Sequence, residues 1–499
     1  MKTKPMAHQL AGLQKCKDRG YFAFFMEQGT GKTWLALADI ERLYNEGKLD
    51  TVIVFAPNGV HTNWARREIP AHLGVRDLAV LTYTSNQTRA YKRAEEQFFR
   101  VREVGEVPRL RILAISYDGA VTPRGFALCE RVADSTLRWM AVADESQRIK
   151  NPAAARTKKL LELREGARYA RLLSGTPIGR SPPDLFSQME FLRSGLLGTT
   201  SYRAFVAEYA DVMPVTHPLM VRMIERNPKA KFAQMLEKNE DGTTRWRNLD
   251  KLSALIEPHS FRVLKKDCLD LPDKVYKTVY FELGAADRKR YDYLAQELRV
   301  DLGGVGAEED ILTVKKLAAL VKLQQITSGF VMCHGEVMAL QDDPPRMAAL
   351  VEALDEVEGQ VIVWARFREE ISLIASLLRR AGFSVAEYHG GVTGTNRELA
   401  VDGFQAGEFQ FFVANQQAGG AGLTLTAAET VVYYSNDFDL LNRVQSEDRC
   451  HRIGTKKSVV YIDLCAQDTI DERITANLQA KKEVAAAVLG DLRDARKWE

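Results

Sequence analysis

The sequence lacks several features by which whole classes of protein are recognised. No apolar run approaches the roughly 18 residues that a transmembrane helix needs, and the charged stretch 1–15 has no apolar segment behind it. We therefore expect an intracellular protein with no membrane partner and no secretory signal. The cysteines form no CxxC pair, which argues against both a disulfide framework and a zinc site.

A strong net charge is also missing. The chain has 69 Lys and Arg against 66 Asp and Glu, a formal charge of +3, so any nucleic-acid binding needs a local basic surface. The apolar fraction of 45% is that of a globular protein, and 499 residues are enough for about three domains.

Short apolar runs separated by helical patterns fill the first 180 residues and return near the C-terminus. Such runs predict buried strands of parallel sheets that are covered by helices on both faces. The predicted strands lie at 21–26, 51–57, 78–84, 110–117, 137–143 and 169–175, and then at 360–366, 383–389, 409–415, 430–436 and 458–464. The pattern predicts an α/β fold with two lobes, 1–195 and 346–499.

The middle region, 196–345, has mostly helical periodicity and lacks comparable strand runs. It also carries basic residues, among them Arg245, Arg247, Lys265 and Lys266. Two interpretations stay open for these side chains: a surface that contacts DNA phosphates, or ordinary solvated helix faces.

The most specific local motif is MEQGTGKT at 26–33, between a predicted strand and a predicted helix. Glycines at 29 and 31 allow a tight turn whose N–H groups face phosphate oxygens at the helix N-terminus. Lys32 would reach the β- and γ-phosphates and the Thr33 hydroxyl would bind Mg²⁺. The match to a P-loop is partial, because Met26 stands where the general pattern has another glycine. The predicted ATP-binding residues of this loop are Gln28, Gly29, Thr30, Gly31, Lys32 and Thr33.

A pair of acids, Asp144 and Glu145, follows the predicted strand 137–143. Ligand sites in open α/β sheets lie at the carboxyl ends of strands, so this pair is expected beside the glycine-rich loop. Asp144 suits a Mg²⁺ carboxylate, and Glu145 suits the group that orients and deprotonates an attacking water.

A third candidate lies in the second lobe, where Arg449 and Arg452 are three residues apart in QSEDRCHRIG, 445–454. On a helix, that spacing places both on one face. Two arginines directed at a nucleotide would neutralise charge that develops on its γ-phosphate. Alone, such a pair is usually a solvated helix face, so its value depends on the two other motifs.

Together these segments resemble the SWI/SNF-like family of superfamily-two helicases, which are ATP-dependent DNA translocases. Residues 144–179 resemble the family's acidic box continuing into its Ser-Gly-Thr-Pro motif. Residues 258–276 resemble its linker between lobes, and 418–454 resemble its fifth and sixth motifs. The resemblance covers nearly the whole chain and implies two RecA-like lobes joined by a mostly helical insert, with ATP and Mg²⁺ as cofactors.

The resemblance implies further roles at matching positions. Gln9 corresponds to an adenine-reading glutamine and Gln445 to a γ-phosphate-sensing position. Residues implied in DNA contact or in coupling hydrolysis to DNA movement are Asn63, Trp64, Ser174, Gly175, Thr176, Gly420 and Gly422. One departure is that Ser146-Gln147 replaces the more usual Ala-His or Gly-His of the acidic box.

The resemblance therefore implies a DNA-dependent ATPase that moves along duplex DNA and remodels protein–DNA or branched DNA structures, with little sequence preference. A targeting partner protein is an open expectation. Two alternatives remain: a strand-separating DNA or RNA helicase of the same superfamily, and an ATP-gated DNA-binding subunit of a larger complex. The intact Lys32, Asp144, Glu145, Arg449 and Arg452 argue against the last of these.

Overall fold

The structure of the protein is a computed structural model. It describes residues 1–100, 109–226, 235–239, 244–303, 309–341, 343–355, 357–392, 394–419, 423–455 and 457–491. The chain divides into two compact units. Unit 1 comprises Met1–Pro214, Gln234–Asp270 and Lys481–Glu499, and unit 2 comprises Val215–Ala233 and Leu271–Ala480.

Unit 1 is built on a seven-stranded sheet in which every neighbouring pair is parallel. Its order is β3-β4-β2-β5-β6-β1-β7. The strands are β1 (Tyr21–Met26), β2 (Thr51–Ala56), β3 (Leu78–Thr82), β4 (Leu110–Ser116), β5 (Trp139–Asp144), β6 (Tyr169–Ser174) and β7 (Ser260–Val263).

Helices cover this sheet, because both of its faces are apolar. Along β1, Phe22 and Phe24 face one core while Ala23 and Phe25 face the other, as the two-residue period of a strand requires. The helices up to residue 268 are α1 (Ala7–Cys16), α2 (Lys32–Asn45), α3 (Val60–Asn63), α4 (Ile69–His72), α5 (Arg89–Phe99), α6 (Tyr117–Ala120), α7 (Pro123–Asp134), α8 (Ala155–Arg164), α9 (Asp184–Leu192), α10 (Tyr202–Tyr209), α11 (Pro218–Arg226), α12 (Leu249–Ile256) and α13 (Lys265–Cys268).

Unit 2 has a six-stranded parallel sheet in the order β12-β13-β11-β14-β15-β8, and an antiparallel pair, β9 and β10. Its strands are β8 (Lys274–Phe281), β9 (Phe330–Cys333), β10 (Glu336–Ala339), β11 (Gln360–Ala365), β12 (Val385–Tyr388), β13 (Phe411–Asn415), β14 (Ala428–Tyr433) and β15 (Val459–Ala466). The remaining helices are α14 (Ala285–Gly303), α15 (Glu309–Thr327), α16 (Pro345–Leu354), α17 (Arg368–Arg380), α18 (Gly394–Gln405), α19 (Gln416–Gly419), α20 (Leu440–Glu447) and α21 (Ile470–Leu489).

The predicted fold class is confirmed by these two parallel sheets with their flanking helices. The expectation that 196–345 lacks strands is wrong, because β7 joins the edge of the first sheet and β8 the edge of the second. In the division into compact units, 196–345 is shared between unit 1 and unit 2, and the boundary near the C-terminus falls within α21. None of the helices in the described ranges combines the length and the apolar character that a membrane crossing requires.

Candidate active site

The glycine-rich loop joins β1 to the N-terminus of α2. Gly29 and Gly31 have φ angles of 84° and 85°, in the left-handed region that glycine adopts without steric cost. Within the loop, the Lys32 ammonium donates to the Glu27 carbonyl at 3.3 Å. This turn leaves the first N–H groups of α2 at the loop, which is the arrangement expected for binding phosphate.

Helix α1 places two side chains against this loop. His8 hydrogen-bonds the Thr30 carbonyl through Nε2 at 2.8 Å, and the Gln9 amide lies so close to Gly31 that a β-carbon there would overlap it. Both side chains are buried. Gly31 is therefore required for two reasons, its φ angle and the approach of Gln9. The structure thus brings Gln9 to the loop.

The two acids lie at the carboxyl end of β5, in the same sheet. Asp144 is the last residue of the strand, and its Oδ2 accepts a hydrogen bond from the Trp64 indole at 2.8 Å. Its carbonyl accepts one from the Tyr117 hydroxyl at 2.7 Å. Glu145 follows with a φ of 52°, which is uncommon for a residue with a side chain and is found most often at functional sites.

The electrostatics of Asp144 favour a bound cation. Burial raises the pKa of Asp144 to about 6, and the Glu145 carboxylate adds to the rise, whereas the Trp64 hydrogen bond and the Lys32 ammonium oppose it. The Lys32 effect shows that the loop and the acidic pair are electrostatic neighbours. Two carboxylates with limited compensating charge offer oxygen ligands of the kind Mg²⁺ prefers.

A chain of side-chain hydrogen bonds connects the acidic pair to β6. Gln147 donates from Nε2 to Glu145 Oε2 at 2.5 Å, and its Oε1 accepts from the Ser174 hydroxyl at 2.7 Å. Ser174 Oγ in turn accepts from the Thr176 backbone N–H at 3.1 Å. We call the residues Glu145, Gln147, Ser174 and Thr176 the relay. It places an amide at the position where the resemblance leads one to expect histidine.

Gly175 packs directly on the glycine-rich loop. A β-carbon at Gly175 would lie 3.3 Å from the Gln28 nitrogen and 3.4 Å from the Met26 carbonyl. A side chain at this position would be crowded by the backbone of the glycine-rich loop, so the two loops lie in close contact. We call residues 174–176 the SGT loop. Unit 1 therefore brings together the predicted residues of the loop, the acidic pair and the SGT loop.

The arginine pair lies in unit 2. Because α20 ends at Glu447, Arg449 and Arg452 belong to the turns that follow, and the one-face spacing of a helix does not apply to them. The two are nevertheless neighbours, since both guanidinium groups donate to the Leu423 carbonyl, at 3.4 and 3.3 Å. Gln445 is half-buried on α20 itself. Gly420 and Gly422 lie outside the described residues.

A buried ionic cluster fixes α20 to the sheet of unit 2. The Glu447 carboxylate accepts from Lys274 at 2.9 Å, from Tyr276 at 2.8 Å and from Arg443 at 2.8 Å. Burial raises the pKa of Glu447, but the Lys274 and Arg443 cations outweigh it and hold that pKa at about 2. The turn that carries the arginine pair therefore follows a firmly held helix.

Arg245 and Arg247 of the middle region have local acidic partners. Arg245 pairs with Glu237 at 3.3 Å, and Arg247 pairs with Asp211 at 3.4 Å. Lys266 is exposed, whereas the Lys265 side chain is only 4% exposed. Burial does not fit the predicted DNA-facing role of Lys265, and pairing compensates part of the charge of Arg245 and Arg247.

Trp64 also departs from its predicted role. It is 1% exposed and its indole serves Asp144, so it positions a carboxylate rather than facing DNA, whereas its neighbour Asn63 is exposed. The sequence reasoning missed the hydrogen bond from Tyr117 to the Asp144 carbonyl and the position of Gln147 between Glu145 and Ser174. No local motif reveals such contacts, because they depend on strand order within the sheet.

Two protein-family models match consecutive parts of the chain. The SNF2-related domain family matches residues 16–329, and the helicase conserved C-terminal domain family matches residues 345–454.

The curated relatives are considerably longer than this chain. Chromodomain-helicase-DNA-binding protein 1-like of Danio rerio is 26% identical over 484 residues, which are 93% of this chain and 41% of the relative. Chromodomain-helicase-DNA-binding protein 3 homolog of Caenorhabditis elegans is 26% identical over 505 residues, or 95% of this chain and 26% of the relative. The chain thus spans less than half the length of either.

Among solved structures, the Sulfolobus solfataricus SWI2/SNF2 ATPase core in complex with dsDNA is similar to this chain. The two share 22% sequence identity with a TM-score of 0.40, over 99% of this chain and 94% of that one.

Proposed function

Because this chain belongs to the SNF2-related family of helicase-like ATPases, we propose that it is an ATP-dependent translocase on double-stranded DNA. It would couple ATP hydrolysis to movement along the duplex and so remodel protein–DNA or branched DNA structures inside the cell. DNA binding is part of the name of both curated relatives, which supports DNA as the partner. A targeting partner protein remains part of the proposal.

The observation that carries the proposal is the convergence in unit 1. The glycine-rich loop with Lys32, and the pair Asp144 and Glu145, meet at the carboxyl edge of one parallel sheet, where burial raises the pKa of Asp144 and the Lys32 ammonium opposes that rise. That edge is where open α/β sheets bind ligands. A phosphate-binding loop beside two carboxylates is suited to a metal-bound nucleoside triphosphate.

Each residue then has a chemical task. The N–H groups of the loop and the Lys32 ammonium hold the phosphates, while Thr33 and Asp144 would hold Mg²⁺. The metal, when bound, neutralises negative charge on the β- and γ-phosphates. Glu145 orients the attacking water and accepts its proton, and Gln147 fixes the carboxylate that does so.

The arginine pair is the third part of the proposal. We infer that Arg449 and Arg452, held together at the Leu423 carbonyl, stabilise charge that develops on the γ-phosphate during turnover. Gln445, on the preceding helix, would sense the same phosphate. An arginine in this role is worth about 10³–10⁵ in rate.

The test is a hydrolysis assay without polymer, and with single-stranded DNA, duplex DNA, forked DNA and RNA. We expect duplex or branched DNA to stimulate most. Lys32→Ala should abolish turnover because a phosphate-binding charge is lost, and Lys48→Ala, which removes an exposed lysine just after α2, should not. If Lys32→Ala hydrolysed ATP as fast as the unmodified chain, the proposed ATP site would be excluded. Stronger stimulation by single-stranded DNA or RNA than by duplex DNA would favour the helicase alternative.

A further inference from the structure

Arg262 on β7 makes contacts that neither the nucleotide chemistry nor the sheet requires. Its Nη1 donates to the Gly175 carbonyl at 3.2 Å and to the Phe25 carbonyl at 3.3 Å. Phe25 is the penultimate residue of β1, which leads into the glycine-rich loop, and Gly175 is the centre of the SGT loop. One guanidinium therefore joins the two backbone segments that flank the nucleotide site.

The other side of the same guanidinium is held by Asp491. Nε donates to Asp491 Oδ1 and Nη2 to Oδ2, each at 2.7 Å, in the two-pronged geometry that arginine and carboxylate favour. The two side chains are only 19% and 14% exposed. Burial lowers the pKa of Arg262, but the hydrogen-bonded Asp491 carboxylate outweighs it, so that the pKa is raised.

Asp491 lies just beyond α21, whose last residues belong to unit 1. Ala485 and Val488 are buried in the same core as Ala23 and Phe25 of β1. Asp491 is thus carried on a packed helix end, some 230 residues after its partner in the sequence. The ion pair of Arg262 with Asp491 therefore connects this helix end to the Gly175 carbonyl beside the proposed active site.

We propose that Arg262 and Asp491 form a latch that holds the SGT loop against the glycine-rich loop, with Arg262 as a positioning residue for ATP hydrolysis. The inference rests on the proposed function. A shift of Gly175 would displace Ser174, which holds Gln147, which holds Glu145, so the water-activating carboxylate would lose its alignment. ATP binding depends on other groups and should be retained.

The experiment uses the full chain and two readouts. The first is hydrogen exchange of the segment 170–180 without nucleotide, and the second is the split of ATP hydrolysis into kcat and KM. Asp491→Ala should increase exchange in that segment. It should lower kcat on the order of tenfold, within the 10²-fold that about 1 Å of misplacement causes, with little change in KM for ATP.

Two further variants distinguish the proposed positioning role from a general loss of structure. Asp491→Glu, which keeps a carboxylate, should restore most of kcat. Asp50→Ala removes another buried carboxylate of unit 1, which accepts from Arg138 at 3.0 Å beside the amino ends of β2 and β5, and should leave exchange in 170–180 and kcat unchanged.

The outcomes separate the latch from the proposed function. Unchanged exchange in Asp491→Ala overturns the latch, whatever the hydrolysis rate. Increased exchange with normal kcat overturns the positioning role and leaves a structural ion pair. If the unmodified chain hydrolyses no ATP, the proposed function fails, and the latch is then decided by the exchange experiment alone.

Discussion

Trp64 lies 80 residues before Asp144 in the chain, yet its indole N–H donates to the Asp144 carboxylate. A donor aimed at a carboxylate stabilises the ionised form, and that is the form a metal ion requires. Burial and the neighbouring Glu145 act in the opposite direction and raise the pKa of Asp144 to about 6. Trp64 is therefore expected to preserve metal affinity, because it stabilises an ionised Asp144 that burial and Glu145 disfavour.

Trp64→Phe should raise the Mg²⁺ concentration needed for half-maximal ATP hydrolysis. Hydrogen bonds to charged groups are worth about 1.5–3 kcal/mol, so the shift should be on the order of tenfold. Turnover at saturating Mg²⁺ should stay close to that of the unmodified chain. Trp139→Phe changes a tryptophan equally buried at the other end of β5 and is the matched control. An unchanged Mg²⁺ dependence would show that the indole serves packing alone.

Sequence reasoning identified the residues that belong to short local motifs of recognisable chemistry. Asp144 ends a strand, Glu145 follows it, and Lys32 lies in the loop motif after another strand, so a strand prediction places all three at one sheet edge. The contact of Trp64 with Asp144 and that of Arg262 with Gly175 were not predicted, because each joins elements that are far apart in the sequence. The burial of Lys265 was not predicted either, since composition shows charge and not burial.

The relay connects the 3-10 turn after β5 to the end of β6, and its centre is Gln147. Gln147→Ala removes the hydrogen bonds to both Glu145 and Ser174, so the Glu145 carboxylate should no longer be connected to the SGT loop. We expect basal hydrolysis to fall modestly and stimulation by duplex DNA to fall severalfold more. The measurement is the ratio of the stimulated to the basal rate.

Ser146→Ala is the control for the relay. Ser146 is also buried and donates to Gln188 at 2.7 Å, so its loss removes an adjacent buried hydrogen bond that does not involve Glu145. Stimulation should survive in this variant. A normal stimulation ratio in Gln147→Ala would mean that coupling takes another route.

The cluster around Glu447 predicts a pH-dependent stability. Its pKa in the folded chain is about 2 instead of 4.5, so its ionisation stabilises the fold above about pH 4.5 and loses that effect as pH falls towards 2. Glu447→Gln should therefore lower the free energy of unfolding at pH 7, on the order of 3 kcal/mol. The deficit should stay constant down to about pH 5 and shrink by pH 3.5.

Denaturant unfolding of both proteins at pH 7, 5 and 3.5 gives the comparison. Glu429→Gln is the control, because Glu429 makes an exposed ion pair with Lys457 and should contribute little. A Glu447→Gln deficit that is the same at pH 3.5 as at pH 7 would exclude the ionic origin of the stabilisation.

The strands predicted from apolar runs appear within three residues of their expected bounds, from β1 at Tyr21–Met26 to β15 at Val459–Ala466. Strands β7, β8, β9 and β10 escaped prediction. Strand β8 lies at a sheet edge and is mostly exposed, so its residues need not be continuously apolar. The end of α20 before Arg449 was also missed, as element bounds depend on tertiary contacts such as those of Glu447.

At the scale of the whole molecule, the compact units are not continuous stretches of chain. Unit 1 takes its last strand from 260–263 and its last helical residues from beyond Lys481. The sequence boundaries at 195 and 345 follow composition, and composition does not reveal which sheet an edge strand joins. The family was recognisable all the same, because its motifs are short and ordered along the chain.

The most direct test of the account is ATP-dependent displacement of a third strand from a DNA triplex. A translocase that moves along the duplex should release the labelled third strand with ATP and should fail to separate a simple tailed duplex. Lys32→Ala should release neither, and Lys48→Ala should behave as the unmodified chain. Lys32-dependent release of a strand from the tailed duplex, or a triplex left intact while ATP is hydrolysed, would contradict translocation along double-stranded DNA.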